Sequence, residues 1–98
     1  MKVYVKVHKA CNDVLVAVCD EDVLGKEFKE GKLKIFVNES FYKGKLIELS
    51  ELEKFLRSAS ILNIVGQESI QRAIECDCIE EDNILCIGNT KHAQMVTV

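Results

Sequence analysis

Three sets of residues in this 98-residue chain have the types and spacing to do chemistry. The first is the segment Asn63-Ile64-Val65-Gly66, with Asn89, His92 and Gln94 further along. Gly66 can cap a helix beginning at Gln67. The first amides of a helix lack internal partners and sit at the positive end of its dipole, so they can hold an anion. His92 and Gln94 share one strand face at period two, and with Asn63 they can add side-chain hydrogen bonds to a small anionic ligand. The plainer alternative has Asn63 capping a turn and His92 satisfying local backbone groups.

The second set is basic and aromatic. Residues 26–45 hold Lys26, Lys29, Lys32, Lys34, Lys43 and Lys45, interleaved with Phe28, Phe36, Phe41 and Tyr42. Lysines neutralise phosphates, and exposed rings stack on unpaired bases at about 1–3 kcal/mol each. Phe36 falls on the lysine side of an alternating strand, so this end is expected to bind RNA in a salt-dependent way. Against that reading, Phe28 and Phe41 can be core residues and the lysines can simply solvate a face. A net charge of −3 also opposes a strong nucleic-acid binder.

The third set is Cys76, Cys78, Cys86 and His92, ligand types suited to tetrahedral zinc. The one-residue gap between Cys76 and Cys78 is shorter than the usual ligand spacing, and a cysteine in an apolar strand such as Cys86 is usually a small hydrophobe. These four residues are a candidate set only, and no metal or cofactor is assigned. Nor is a catalytic residue. His8 and Cys11 flank a turn and Cys19 precedes Asp20-Glu21-Asp22, but nothing supplies the third group that cysteine–histidine chemistry needs. There is no phosphate-cradling glycine loop, zinc-protease helix or serine elbow. Binding is expected rather than catalysis.

The elements that must position these residues can be read from periodicity. Lys2–His8 alternates, with Val3, Val5 and Val7 on one face and a wet face opposite, which predicts a half-buried strand. Val14–Val18 is apolar on both faces and belongs inside a sheet covered on both sides; the two strands are close enough to form an antiparallel hairpin. Val23–Phe28 reads as a connection in which Gly25 takes a positive φ. Lys32–Val37 is a strand, and Phe41–Ile47 a turn followed by a short extended piece. Ser50-Glu51-Leu52-Glu53 matches a capping box, so a helix begins at Glu51 and shows Leu52, Phe55, Leu56 and Ala59 to the core. In Gln67–Glu75, Ile70, Ala73 and Ile74 share a face, and Val65 with Ile70 makes a hydrophobic staple. Strands follow at Ile84–Ile87 and from His92 to Val98, joined through the turn Gly88-Asn89. The expected fold is one α+β domain: two layers, with two short helices on one face of a mostly antiparallel sheet of about five strands. If the open-faced first strand lies at the sheet edge, it can pair with another strand, in a homodimer or with a partner protein.

Composition agrees with a globular domain: 48% of residues are hydrophobic and 30% charged. No apolar run approaches the ~18–20 residues that span a bilayer, and no charged-then-apolar leader opens the chain, so no membrane partner is expected. Five cysteines, an odd number, are expected to be reduced thiols in a cytoplasmic protein. Charge is unevenly placed: the lysines of residues 26–45 make one end basic, and Glu75, Asp77, Glu80, Glu81 and Asp82 make another acidic.

Several segments, in this order along the chain, resemble a known family: Val18-Cys19-Asp20-Glu21 with Leu24-Gly25-Lys26, Phe41-Tyr42, Asn63-Ile64-Val65-Gly66, Asn83-Ile84-Leu85 with Ile87-Gly88, and His92-Ala93-Gln94. They look like the small archaeal proteins grouped as domain-of-unknown-function family 424. The resemblance covers nearly the whole chain. It implies a single α+β cytoplasmic domain of archaeal type, associated with translation and information processing, and so a translation-related protein as an alternative partner to RNA. It implies no established activity. Where the family pattern has a glycine near the end of the second helix, this chain has Cys76-Asp77-Cys78.

Overall fold

The structure, a computed structural model, describes residues 1–97. Strand β1 (Lys2–Ala10) turns through Cys11, at φ 55°, into antiparallel β2 (Asp13–Asp20). A 3-10 turn at Glu21–Val23 leads to a second hairpin, β3 (Glu27–Glu30) and β4 (Leu33–Phe36). A single helical turn, α1 (Glu39–Tyr42), follows; Asn38 caps it by accepting from the Ser40 amide at 2.8 Å. Next come β5 (Lys45–Glu48), a 3-10 turn at Leu49–Glu51, α2 (Leu52–Ser58), β6 (Ile61–Val65) and α3 (Gln67–Glu75). After a last 3-10 turn, β7 (Ile84–Ile87) and β8 (Thr90–Val96) close the fold. The expected final strand extends to Val98, which lies outside the described residues.

Six strands form one mixed sheet in the order β5-β1-β2-β6-β8-β7, and β3-β4 forms a separate two-stranded sheet. The pairing of β2 with β6 is parallel; the others in the large sheet are antiparallel. The α+β class stands, but eight strands replace the expected five and the two-layer arrangement is too simple. Val3, Val5, Val16, Val18, Leu62, Ile64 and Ala93 pack beneath α2 and α3 with Leu52, Leu56, Ile70 and Ala73. On the opposite face Ala17, Cys19 and Val65 lie beneath Val23, Val37 and Tyr42, flanked by Phe28, Ile35 and Phe41. The small hairpin and α1 are thus a third layer.

This layering explains why Val14–Val18 is apolar on both faces: Val16 and Val18 meet helices while Ala17 meets the hairpin layer. It also corrects the wet face assigned to β1. Lys6 Nζ donates to Ser40 O at 2.7 Å, and the His8 ring stacks on Phe41 at 4.9 Å, so that face is partly roofed by α1. Nor is β1 an edge. It pairs with both β5 and β2, which removes the proposed strand-addition site there; the free edges are β5 and β7.

Two local expectations change for identifiable reasons. The chain enters α2 through a 3-10 turn, with the Leu52 amide donating to Leu49 O, so Ser50 lies inside the turn and no capping box forms. Asn63-Ile64-Val65, read as an apolar lead-in to α3, is the core of β6, its polar Asn63 masking the strand pattern. No helix among the described residues is long and apolar enough to cross a membrane.

Candidate functional site

Gly66 caps α3 as expected, at φ +118°, but it has no side chain with which to satisfy the helix amides. Asp20, from the end of β2, does so instead. One carboxylate oxygen accepts from the Ser69 amide at 2.8 Å and the Ser69 hydroxyl at 2.6 Å, and the other accepts from the Glu68 amide at 3.1 Å. Asp20 is 7% exposed, and a carboxylate so far from water needs such donors together with the positive end of the helix dipole. The anion expected at this helix start is therefore the chain's own. The sequence reading missed Asp20 and Ser69. The available signal was an acid placed directly after an apolar run that is buried on both sides.

The other expected members lie on the opposite face of the sheet. In the β6–β8 ladder Asn63 pairs with Gln94 and Val65 with His92. His92 Nε2 lies 3.1 Å from Asn63 Oδ1, which also accepts from the Tyr42 hydroxyl. With Asn63 Oδ1 as acceptor, Nε2 carries the His92 proton and Nδ1 is left as an acceptor. Burial pushes the His92 imidazole below its usual value and the Tyr42 phenol above its own, the latter with a smaller contribution from Cys19. Asn63, His92 and Tyr42 thus form one polar cluster, with exposed Gln94 beside it. Gly66 is not part of it, and Asn89 sits at the far end of β8, where its carbonyl accepts from Gln67 Nε2 at 3.2 Å.

The lysine–aromatic set divides. Tyr42 is 3% exposed, turned inward onto Asn63 and unable to stack on a base. Phe28 and Ile35 pair on the inner side of the small hairpin and help cover the sheet. Phe41 packs between His8 and Tyr42. Phe36, however, is 53% exposed, on the outward face that also carries Lys29 and Lys34. Both lysines contact Glu27 Oε atoms at 3.4 Å, exposed pairs of little energetic weight. Lys26 precedes β3 and Lys32 lies in the hairpin turn. Lys43 and Lys45 leave this group: they follow α1 and begin β5 at one sheet edge, whereas the hairpin tip meets the other edge, Gly88 N donating to Glu30 Oε1 at 3.2 Å.

The cysteines do not assemble. Cys86 pairs with Lys91 and so faces the helix layer, while His92, the next residue along β8, faces the hairpin layer. Among the described residues no three His, Cys, Asp or Glu side chains converge to hold a metal ion. Cys19 is fully buried, its thiol pushed up to about 12 by burial and then by Asp20 and Asp22, and no histidine hydrogen-bonds to it. His8 Nε2 is 2.8 Å from Phe41 O, away from the exposed Cys11 thiol, so no cysteine–histidine pair forms.

Residues 8–98 match the model of the family described as "Protein of unknown function (DUF424)". The chain belongs to this family. The crystal structure of an uncharacterized conserved protein from Methanopyrus kandleri is similar at 28% identity and a TM-score of 0.84, the match covering 100% of this chain and 95% of that one. No curated protein matches the chain significantly. In this DUF424 chain the segments that first carried the resemblance are spread over the fold: those with Asp20, Gly66 and Ile87-Gly88 lie at strand ends or in the turns leaving them, whereas Phe41-Tyr42 is in α1 and His92-Ala93-Gln94 inside β8.

Proposed function

We propose that this DUF424 protein is a binding protein that takes single-stranded RNA, of ribosomal or similar origin, along the outward face of the β3–β4 hairpin. One observation carries the reading: Phe36 is 53% exposed on the same face as Lys29 and Lys34, with Lys26 and Lys32 at the two ends of the hairpin. A ring on such a face stacks on any base, and the lysines neutralise the phosphates on either side of it, which gives weak, sequence-tolerant affinity. The neighbouring Glu27 lowers the net charge of the face, so the binding is modest and fades with salt.

The experiment is a fluorescence-anisotropy titration with a labelled single-stranded RNA. With up to four lysines engaged, log K falls against log salt with a slope of at most about −3. Phe36→Ala weakens binding about tenfold, the equivalent of one lost stack. Absence of saturable binding at low salt would remove this function.

A second reading rests on β7. It is a free sheet edge of four residues with Leu85 51% exposed, so two copies can pair their β7 strands antiparallel. Light scattering at high protein concentration decides between monomer and dimer.

A further inference from the structure

The large sheet ends in two strands with one side unpaired, β5 and β7, and the registers between them set both at the same level. Leu46 pairs with Tyr4, Tyr4 with Cys19, Cys19 with Val65, Val65 with His92, and His92 with Leu85. This row crosses all six strands, so Leu46 and Leu85 stand at opposite edges on the face that carries the hairpin layer. They are 40% and 51% exposed. Followed from neighbour to neighbour, the strand directions make β5 and β7 run the same way. Among the described residues no turn or loop backbone hydrogen-bonds to the outer side of either strand.

The charges at the two edges are complementary. Lys43 and Lys45 stand at the amino-terminal end of β5, and Glu80, Glu81 and Asp82 lead into the amino-terminal end of β7. All five side chains are exposed, and none forms an ion pair among the described residues. Because the two strands run the same way, the basic group and the acidic group lie at the same end of the sheet, one at either edge. Sliding one molecule sideways onto the next therefore brings lysines onto carboxylates and leucine onto leucine.

We infer that the partner of these edges is a second copy of this chain: β5 of one molecule pairs in parallel with β7 of the next, continuing the sheet head to tail. At a strand spacing of about 4.8 Å, Leu46 covers Leu85, and Lys43 and Lys45 come within reach of Glu81 and Asp82. Each added copy leaves one edge open, and sheet twist turns successive copies in one sense, so the assembly is an open helical ribbon. A join of four residues buries well under about 1,200 Å², which makes association weak and reversible. The pairing needs no RNA, and it differs from a symmetric β7–β7 pair, in which β5 has no part.

Sedimentation equilibrium of the protein without RNA tests it. At about 50 mM salt and about 1 mM protein, the weight-average mass of the parent passes that of a dimer and is still rising, and about 0.5 M salt returns it toward the monomer. Two charge-reversed variants, Lys43→Glu with Lys45→Glu and Glu81→Lys with Asp82→Lys, each give a molecule two like-charged edges and stay monomeric. Mixed in equal amounts they associate again, because each then offers the edge that the other lacks. The parent's own concentration and salt series decides the case even where a variant fails to fold. The inference is overturned if the parent stays monomeric or stops at a dimer. It is overturned equally if reversing Lys43 and Lys45 leaves association unchanged, as a β7–β7 pair requires, or if the mixture of two folded variants associates no more than its components.

Discussion

Asp20 fills the space that a side chain at position 66 would need: a Cβ built on Gly66 would stand 2.3 Å from Asp20 Cγ and 2.6 Å from both carboxylate oxygens. The two residues are therefore one device. Glycine is required by φ +118° and by the carboxylate's approach, and the carboxylate is required because glycine cannot cap the helix itself.

A double-mutant cycle measures this. Gly66→Ala costs about 2–4 kcal/mol through backbone strain and overlap with Asp20. Asp20→Ala costs a similar amount, because two helix amides and the Ser69 hydroxyl lose their acceptor at the positive end of the helix. With both changes the overlap disappears, so the double variant is less destabilised than the two costs added, by about 1 kcal/mol or more in urea unfolding. Strict additivity would mean that the two positions act independently.

His92 gives a pH signature whose sign follows from burial. Its pKa is lowered from the ordinary 6.5, so between pH 7.5 and 5.5 the unfolded chain binds a proton that the folded protein resists. Its contribution to stability is complete above about pH 6.5 and declines as the pH falls toward the folded value. His92→Gln should lose less stability than the parent between pH 7.5 and 5.5 in paired denaturation curves. A variant with an equal or steeper decline contradicts the assignment.

The end of α3 offers a gain. Cys78 N donates to Ala73 O at 2.9 Å and Asp77 N to Ile74 O at 3.0 Å, with Asp77 at φ +58°. This is the Schellman arrangement, which usually places glycine where Asp77 stands. Asp77→Gly relieves the left-handed strain and is expected to raise stability by about 0.5–1 kcal/mol, read as a higher urea midpoint at unchanged slope. A lower midpoint would mean that the aspartate side chain contributes more than its backbone costs.

What could be read from the sequence was mostly local. The α3 face of Ile70, Ala73 and Ile74 has a helical period, Val14–Val18 announces a doubly covered strand, and His92 with Asn63 meets across neighbouring strands as the period-two pattern allowed. The failures share another cause. Strand β3 carries one apolar residue, Phe28, in a four-residue strand, too little alternation to stand out from the connection before it. The Asp20–Ser69 contact spans 49 positions, and the Tyr42–Asn63 contact 21, so neither leaves a trace in a local pattern. Tyr42 looked like part of a basic surface because its neighbours in sequence are charged, while its ring is part of the layer that covers the sheet.

The most direct measurement for the function is the RNA titration of the parent protein and Phe36→Ala at two salt concentrations. The account predicts saturable binding at 50 mM salt that weakens several-fold at 150 mM, and an affinity about tenfold lower for the variant at both. Equal affinity of parent and variant, or no binding by either at 50 mM, would contradict the hairpin as an RNA-binding surface.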